Sequence, residues 1–483
     1  MKLSKYLILI SFSLLMVTSC SEDAMDEVNK EQNDALEMDA KNLIPDAIVK
    51  TAYETTGTDI AWYATIFIEH NAGTWGQAAD ADKRKSSNSS STMNNSWNSL
   101  YDVMNICHTI IKKTDPVDGT EKDNYWCRGV AQILMAYNLA VATDMWGEVP
   151  FDEAFQGMAN LKPAFMNQSE IYPIIQDLLD DGIASMTAAT SDSKYADKDL
   201  IFGGNRAAWI RAAYSLKARY FMRLSNRDAN ASTNALAVIA NGFTSMNQEM
   251  LFAGYVDDLP NANPWGEYWY NRDHNSISQN FYNIMNTRND PRIPWLVLDG
   301  DLGPAPSGEA METQGGYSQS ALSTNYYGWA APTPLMTYHE LLFIETEAKF
   351  RTGDATWTTS LQNAIAEAFA YIGDRYWGES VGDPAAYYTA EVAPRLTLGN
   401  ELNEIMTQKY IAMFEAQSIE AYNDYRRTGI PTMTNPNNSA TGLGFVHRFP
   451  YAYSEVSNNP ENVPAINVFV DKVWWAGGDE LIP

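Results

Sequence analysis

The stretch WCRGVAQILMAYNLAVATDM, residues 126–145, decides the fold class. Val130, Ile133, Leu134, Tyr137 and Val141 recur at spacings of three and four, which gathers them into one stripe on a helix. Such a stripe needs a second apolar surface to cover it, and the preceding residues supply one. Trp97, Leu100, Tyr101, Met104, Cys107 and His108 follow the same spacing, with a Pro- and Gly-containing turn at residues 115–120 between the two segments. Residues 96–145 therefore read as a helical hairpin.

The arrangement recurs along the chain. Residues 169–186, with Ile171, Ile174, Ile175, Leu178 and Leu179, precede a periodic segment at 207–224, and residues 335–351 precede another at 361–372. In the last pair, Ala348 and Gly353 stand where tetratricopeptide-like helices carry a small packing residue and a C-terminal stop. A final long helix is expected over 401–425. The repeats are degenerate, because long insertions at 78–95, 299–334 and 428–464, rich in Gly, Pro, Ser and Asn, interrupt them. Loops longer than about 12–15 residues are usually functional or disordered. Helical periodicity dominates the chain.

At the other end, Lys2 and Lys5 flank the start of YLILISFSLLMV (residues 6–17), an apolar run too short to remain as a membrane span but shaped like an export signal. Val17, Thr18 and Ser19 then precede Cys20 in the branched-apolar, small, small, cysteine order that a lipoprotein signal peptidase reads. An ordinary secretory signal that happens to contain a cysteine is the alternative. Cleavage would make Cys20 the first residue, and acyl chains attached there would hold the protein on a membrane. Ser21, Glu22, Asp23, Asp26 and Glu27 open an acidic linker. The expected organisation is a signal peptide at 1–19, a lipidated tether at 20–36 and a single helical domain at 37–483.

The 483 residues carry a formal net charge of −27, and loss of the signal with its two lysines and no acid takes this to −29. Nucleic acid is therefore not an expected partner. Cys107 and Cys127 lie on the two arms of the first hairpin, where a disulfide across the pair and two separate buried thiols are both open. No spacing establishes a metal site, though a bound calcium ion is left open, and no motif calls for a cofactor. Enzymatic signals are weak: His339-Glu340-Leu341-Leu342-Phe343 lacks the second histidine of a zinc protease helix, and neither a GxSxG segment nor a placed carboxylate pair is recognisable.

Several blocks resemble the SusD/RagB family of nutrient-binding outer-membrane lipoproteins. They are TDMWGEVPFDEAFQG (143–157), QSEIYPIIQDLLDDGI (168–183), GGNRAAWIRAAYSLKARYFMRLS (203–225), NDPRIPWL (289–296) and TPLMTYHELLFIETEAKFRTG (333–353). Most characteristic is EIMTQKYIAMFEAQSIEAYNDYRRTGIP (404–431), followed by HRFPYAYSEVSNNPEN (447–462). One departure is that His447 and Arg448 stand where many members have two arginines. The resemblance implies a mostly α, SusD-like fold on the cell exterior, with tetratricopeptide-like helical hairpins as scaffold and long irregular loops as the ligand face, and capture of oligosaccharide for a SusC-like TonB-dependent transporter. Peptide capture by the same architecture is the alternative, with a surface hydrolase or an adhesive protein behind it.

Trp146 in WGEVPF is assigned to the core at a helix end, and Arg426 and Arg427 to closing a helix C-terminus beside a local carboxylate. Ligand-binding candidates come from three other segments. In NPWGEYWYNRDHN (263–275), read as an irregular loop, Trp265, Tyr268, Trp269, Tyr270 and Arg272 crowd among polar residues; sugars need an aromatic platform with such groups beside it. Tyr326, Tyr327 and Trp329 end the 299–334 insertion, and His70, Asn71 and Trp75 lie in EHNAGTW. The three segments are expected to converge into one aromatic arc.

Overall fold

A computed structural model describes residues 38–190, 193–324, 326–436 and 441–482, and in it the periodic segments are helices. Helices α1 (Ala40–Lys50), α2 (Asp59–Phe67) and α3 (Gly76–Asp82) lead into the first hairpin, formed by α4 (Asn94–Lys113) and α5 (Tyr125–Trp146). Next come α6 (Gln168–Ala188), α7 (Arg206–Arg223), α8 (Ala231–Ile239), α9 (Pro264–Arg272), α10 (Tyr338–Thr352), α11 (Trp357–Ile372), α12 (Glu401–Ala412) and α13 (Ser418–Thr428). Residues from Ala40 onward belong to one compact unit.

Helix α5 is the spine. Its apolar stripe is real, but almost every other residue of the helix is buried too, because α4 covers one side and α6, α1 and α7 the others. The second face is made of small residues, among them Gly129, Ala136 and Ala140. Gly129 lets α6 close in: a Cβ there would stand 2.9 Å from the Met186 side chain and 3.1 Å from the Gly182 carbonyl. Successive neighbours α6, α7, α8, α10 and α11 stack outward from the spine. Sequence signals fix their ends, including a capping box between Asn167 and Glu170 on α6, the Thr337 hydroxyl accepting from the Glu340 amide on α10, and Gly353 at φ +78° closing α10.

Three expectations change. The helix expected over 401–425 breaks into α12 and α13, because Glu415 takes a left-handed φ of +56° between them. Leu335 belongs to a strand, Thr333–Met336, paired antiparallel with Met250–Phe252. The segment at 263–275 is a helix rather than a loop. Asn263 caps it by accepting from the Trp265 amide at 2.8 Å, Pro264 occupies its first turn, and Asp273 ends it in the left-handed region.

Cys107 and Cys127 are free, and burial pushes both thiols up to about 12, so neither is a reactive centre. Cys20 and its tether lie outside the described residues. Among the described residues, no helix is long and apolar enough to cross a membrane.

Ion pairs rather than apolar contacts alone join the scaffold helices. Arg219 on α7 holds the Glu340 carboxylate of α10 through two bonds of 2.7 and 2.6 Å. Arg427 on α13 grips Glu347 of α10 in the same way at 2.5 and 2.6 Å and reaches Asp424 at 2.8 Å, so its partners include a distant carboxylate as well as the local one expected. Arg426 donates to the His447 carbonyl at 3.0 Å and lies over the Tyr422 ring. Trp146 is fully buried, as expected, with its indole N–H donating to the Pro450 carbonyl at 2.8 Å. Arg448 is also fully buried and pairs with Glu148 at 2.8 Å, which gives it a structural place. It passes so close to Gly147 that a Cβ there would meet its guanidinium at 2.6 Å.

Candidate functional site

Helices α2 and α9 each turn one face toward the other. On α2 the face is Asp59, Trp62, Tyr63 and Ile66; on α9 it is Pro264, Glu267, Tyr268, Asn271 and Arg272. Both sets follow helical i, i+3, i+4 spacing, so each helix supplies a continuous wall. Tyr53, Gln77, Ala78 and His274 complete a cleft of about 340 Å³. Gly57 permits the approach of the two walls, since a Cβ there would stand 2.7 Å from the Pro264 ring.

The cleft is both aromatic and polar. Tyr268 packs against Trp62 with ring centroids 4.3 Å apart, and His274 meets the edge of Tyr268 at 6.3 Å. Tyr53 donates to Glu267 at 2.7 Å, and Gln77 donates to the Tyr63 hydroxyl at 2.6 Å. The Trp62 indole N–H finds no acceptor among the described residues. Burial lifts the Tyr63 hydroxyl to about 12 and raises those of Tyr53 and Tyr268, so all three remain protonated donors. Burial also raises the Asp59 carboxyl, against the opposing pull of Arg272, and together burial and Arg272 lower His274. Rigid rings bordered by hydroxyls, amides and carboxylates suit a ligand with an apolar face and a hydroxyl rim.

The candidates from the sequence divide into three groups. Tyr268 and Arg272 line the cleft. Tyr270, on the opposite side of α9, is exposed and meets Trp329 edge-on at 5.2 Å, while the Trp329 ring lies where a Cβ on Gly266 would fall. Trp75 is 40% exposed beside the Gln77 rim but does not line the cleft. The side chain of Tyr327 lies outside those described.

Four candidates face inward, which corrects the expectation of a single arc. His70 is fully buried, packs against Tyr410, Phe281 and Phe414, and donates through Nε2 to the Tyr410 carbonyl at 2.9 Å. Asn71 is fully buried and donates to Glu415 at 3.4 Å. Trp265 and Trp269 lie on the core side of α9. The reason is helical geometry: residues four apart share a face, so 265 and 269 point one way and 268 and 272 another.

The three segments do meet, but largely through backbone groups rather than through one arc of rings. Asn71–Gly73 pairs with Asn275–Ile277, the Thr313 amide donates to the Thr74 carbonyl at 2.9 Å, and Gln314 donates to the Arg272 carbonyl at 2.9 Å. Beneath them the Glu415 carboxylate accepts from Ser320 and Ser323 at 2.7 and 2.6 Å. Sequence analysis missed Tyr53, Asp59, Trp62, Tyr63 and Gln77. The 59, 62, 63, 66 spacing was the available signal, hidden because a helix with two apolar faces looks like core.

His339 and Glu340 are buried within the scaffold, and Glu340 is committed to Arg219. Among the described residues, no group of three or more His, Cys, Asp or Glu side chains is placed to hold a metal ion.

Over residues 32–452 the chain matches the model of a family described as SusD-like, starch-binding and associating with the outer membrane. A SusD/RagB family protein from Bacteroides thetaiotaomicron is 30% identical, with 92% of this chain and all of that one covered, at a TM-score of 0.82. A chitin-binding protein superposes at a TM-score of 0.75 with 23% identity, over 91% of this chain and 99% of that one. A chitin-binding SusD homologue from Flavobacterium johnsoniae gives 0.74 with 19% identity, over 90% and 98%. These two share the fold. No curated protein matches the sequence.

Proposed function

Because the chain belongs to the SusD-like family, whose model spans most of its length, we propose that it is a binding protein of the outer-membrane surface. It captures a glycan in the cleft between α2 and α9 and passes it to a TonB-dependent transporter of the SusC type. The observation that carries this reading is the Trp62–Tyr268 pair, a platform bordered by Glu267, Asn271 and Arg272. A binding role is the reading supported here: the cleft offers donors, acceptors and ring faces, the family is described as starch-binding, and two proteins of the same fold are described as chitin-binding.

Calorimetry with starch-derived and chitin-derived oligosaccharides tests the reading. Trp62→Ala and Tyr268→Ala are each expected to weaken binding by about 2 kcal/mol, roughly thirtyfold in Kd. Unchanged affinity in both variants, with the fold intact by circular dichroism, would overturn the assignment of the cleft. Tight binding of peptides but of no oligosaccharide would overturn the ligand class.

Cys20 is the proposed anchor. Cys20→Ala is expected to move the protein from the membrane to the soluble fraction while leaving glycan affinity unchanged, because the acyl chains supply the attachment. A Cys20→Ala protein that still sediments with outer membranes would refute the anchor.

A further inference from the structure

We infer that the glycan held in this cleft carries a protonated amine, as an amino sugar does, and that the Asp59 carboxylate receives it. This rests on the glycan reading above and narrows it to a chemical class. Three features of the cleft support it.

The first is the state of the two carboxylates in its walls. Glu267 is already engaged by the Tyr53 hydroxyl at 2.7 Å. Asp59 lines the same cleft and makes no hydrogen bond or ion pair of its own among the described residues. A carboxylate drawn out of water without a partner is costly, and a charge-assisted bond from an ammonium offsets that cost more fully than a neutral hydroxyl does.

The second is the ring pair. Trp62 and Tyr268, packed against each other, line the same cleft as Asp59, and aromatic surface attracts an ammonium in a partly dehydrated site. The third is the charge around them. Arg272 is the cation of the cleft wall, while His274 is held neutral by burial and by that same arginine. Behind the walls stand Glu54 and Asp80 near the Tyr53 and Tyr63 hydroxyls and Asp273 near Tyr268. Lys50 pairs with Glu54 at 3.3 Å and Lys85 with Asp80 at 3.3 Å, so these two lysines neutralise carboxylates outside the cleft, and the positive charge that acts on Asp59 is that of Arg272, with which it forms no ion pair. The surroundings thus remain net negative, which favours a cation over a neutral or acidic sugar.

The experiment compares oligosaccharides of equal length with free amines (glucosamine) or acetylated amines (N-acetylglucosamine), by calorimetry on the full chain. The wild type is expected to bind the free-amine form on the order of tenfold more tightly. Asp59→Asn should bring the ratio of the two affinities close to one, whatever it does to their common level, and Arg272→Gln should widen the gap. Equal affinities in the wild type, or a preference that survives Asp59→Asn, would overturn the inference and leave glycan binding standing. Binding of neither oligomer, nor of any starch-derived one, would overturn both.

Discussion

Replacing Arg219 by methionine is expected to cost about 3–5 kcal/mol of folding stability, read as a lower urea midpoint. The figure follows from what is left behind. The Glu340 side chain is fully buried, and Arg219 supplies both of its charge-assisted bonds, at 2.7 and 2.6 Å. Once the guanidinium is gone, the remaining donor to its carboxylate is the Gln417 amide at 3.0 Å. Methionine fills much of the space, so the loss reports on the orphaned charge more than on a cavity. Arg219→Met with Glu340→Leu is the informative second variant. Removing both partners together should recover most of the loss, because an apolar pair carries no desolvation penalty. A single-variant loss below about 1 kcal/mol would mean that Gln417 alone satisfies Glu340.

That ion pair also shows where the sequence was legible and where it was not. The helices, their caps and their hairpin pairing were readable because each depends on residues within one or two turns: the stripe from Val130 to Val141, Asn167 with Glu170, Gly353 after Arg351. Arg219, Arg223, Asp144 and Glu420 were not readable as core, since periodicity treats a charged residue as a marker of the solvent face. Here Arg223 pairs with Asp144 at 3.3 Å and Tyr172 donates to Asp144 at 2.5 Å, all inside the scaffold. Their burial is made acceptable by partners as much as 279 residues distant, as Asn423 is from Asp144, which no local pattern announces.

The cleft was half legible for a related reason. Composition alone marked residues 263–275 as aromatic and polar, and Tyr268 and Arg272 do line the cleft. Reading the segment as a loop gave every ring the same standing, whereas Asn263 and Pro264 start a helix that sends Trp265 and Trp269 inward. The opposite wall escaped because Trp62 and Tyr63 sit in a helix whose remaining faces are core. A platform made by two helices from distant parts of the chain becomes visible as a pair only when they pack.

Glu415 gives the last test, because it joins that cleft to the scaffold. The residue is buried, and Asn71, Ser320 and Ser323 donate to its carboxylate, tying the strand beside α9 and the 299–334 insertion to the break between α12 and α13. Burial lifts its carboxyl from 4.5 to about 7, against the opposing effect of those donors. A folded pKa above the unfolded one means that the folded protein holds the proton more tightly. The stability contributed is therefore complete below pH 4.5 and is lost as pH rises through about 7. Two and a half units correspond to roughly 3 kcal/mol as an upper bound. Other groups slope the curve as well: His70 and His339, lowered to about 3 by burial, cost stability as pH falls below the ordinary histidine range. The difference between variant and wild type isolates Glu415. Glu415→Gln keeps an oxygen for the serine hydroxyls and removes the titration, so its stability should fall less than that of the wild type between pH 4.5 and 8, with the gap growing from about pH 4.5 and complete just above pH 7. Parallel curves across that range would show that Glu415 ionises in the folded protein as it does in the unfolded chain, and that the contacts beneath the cleft do not depend on its proton.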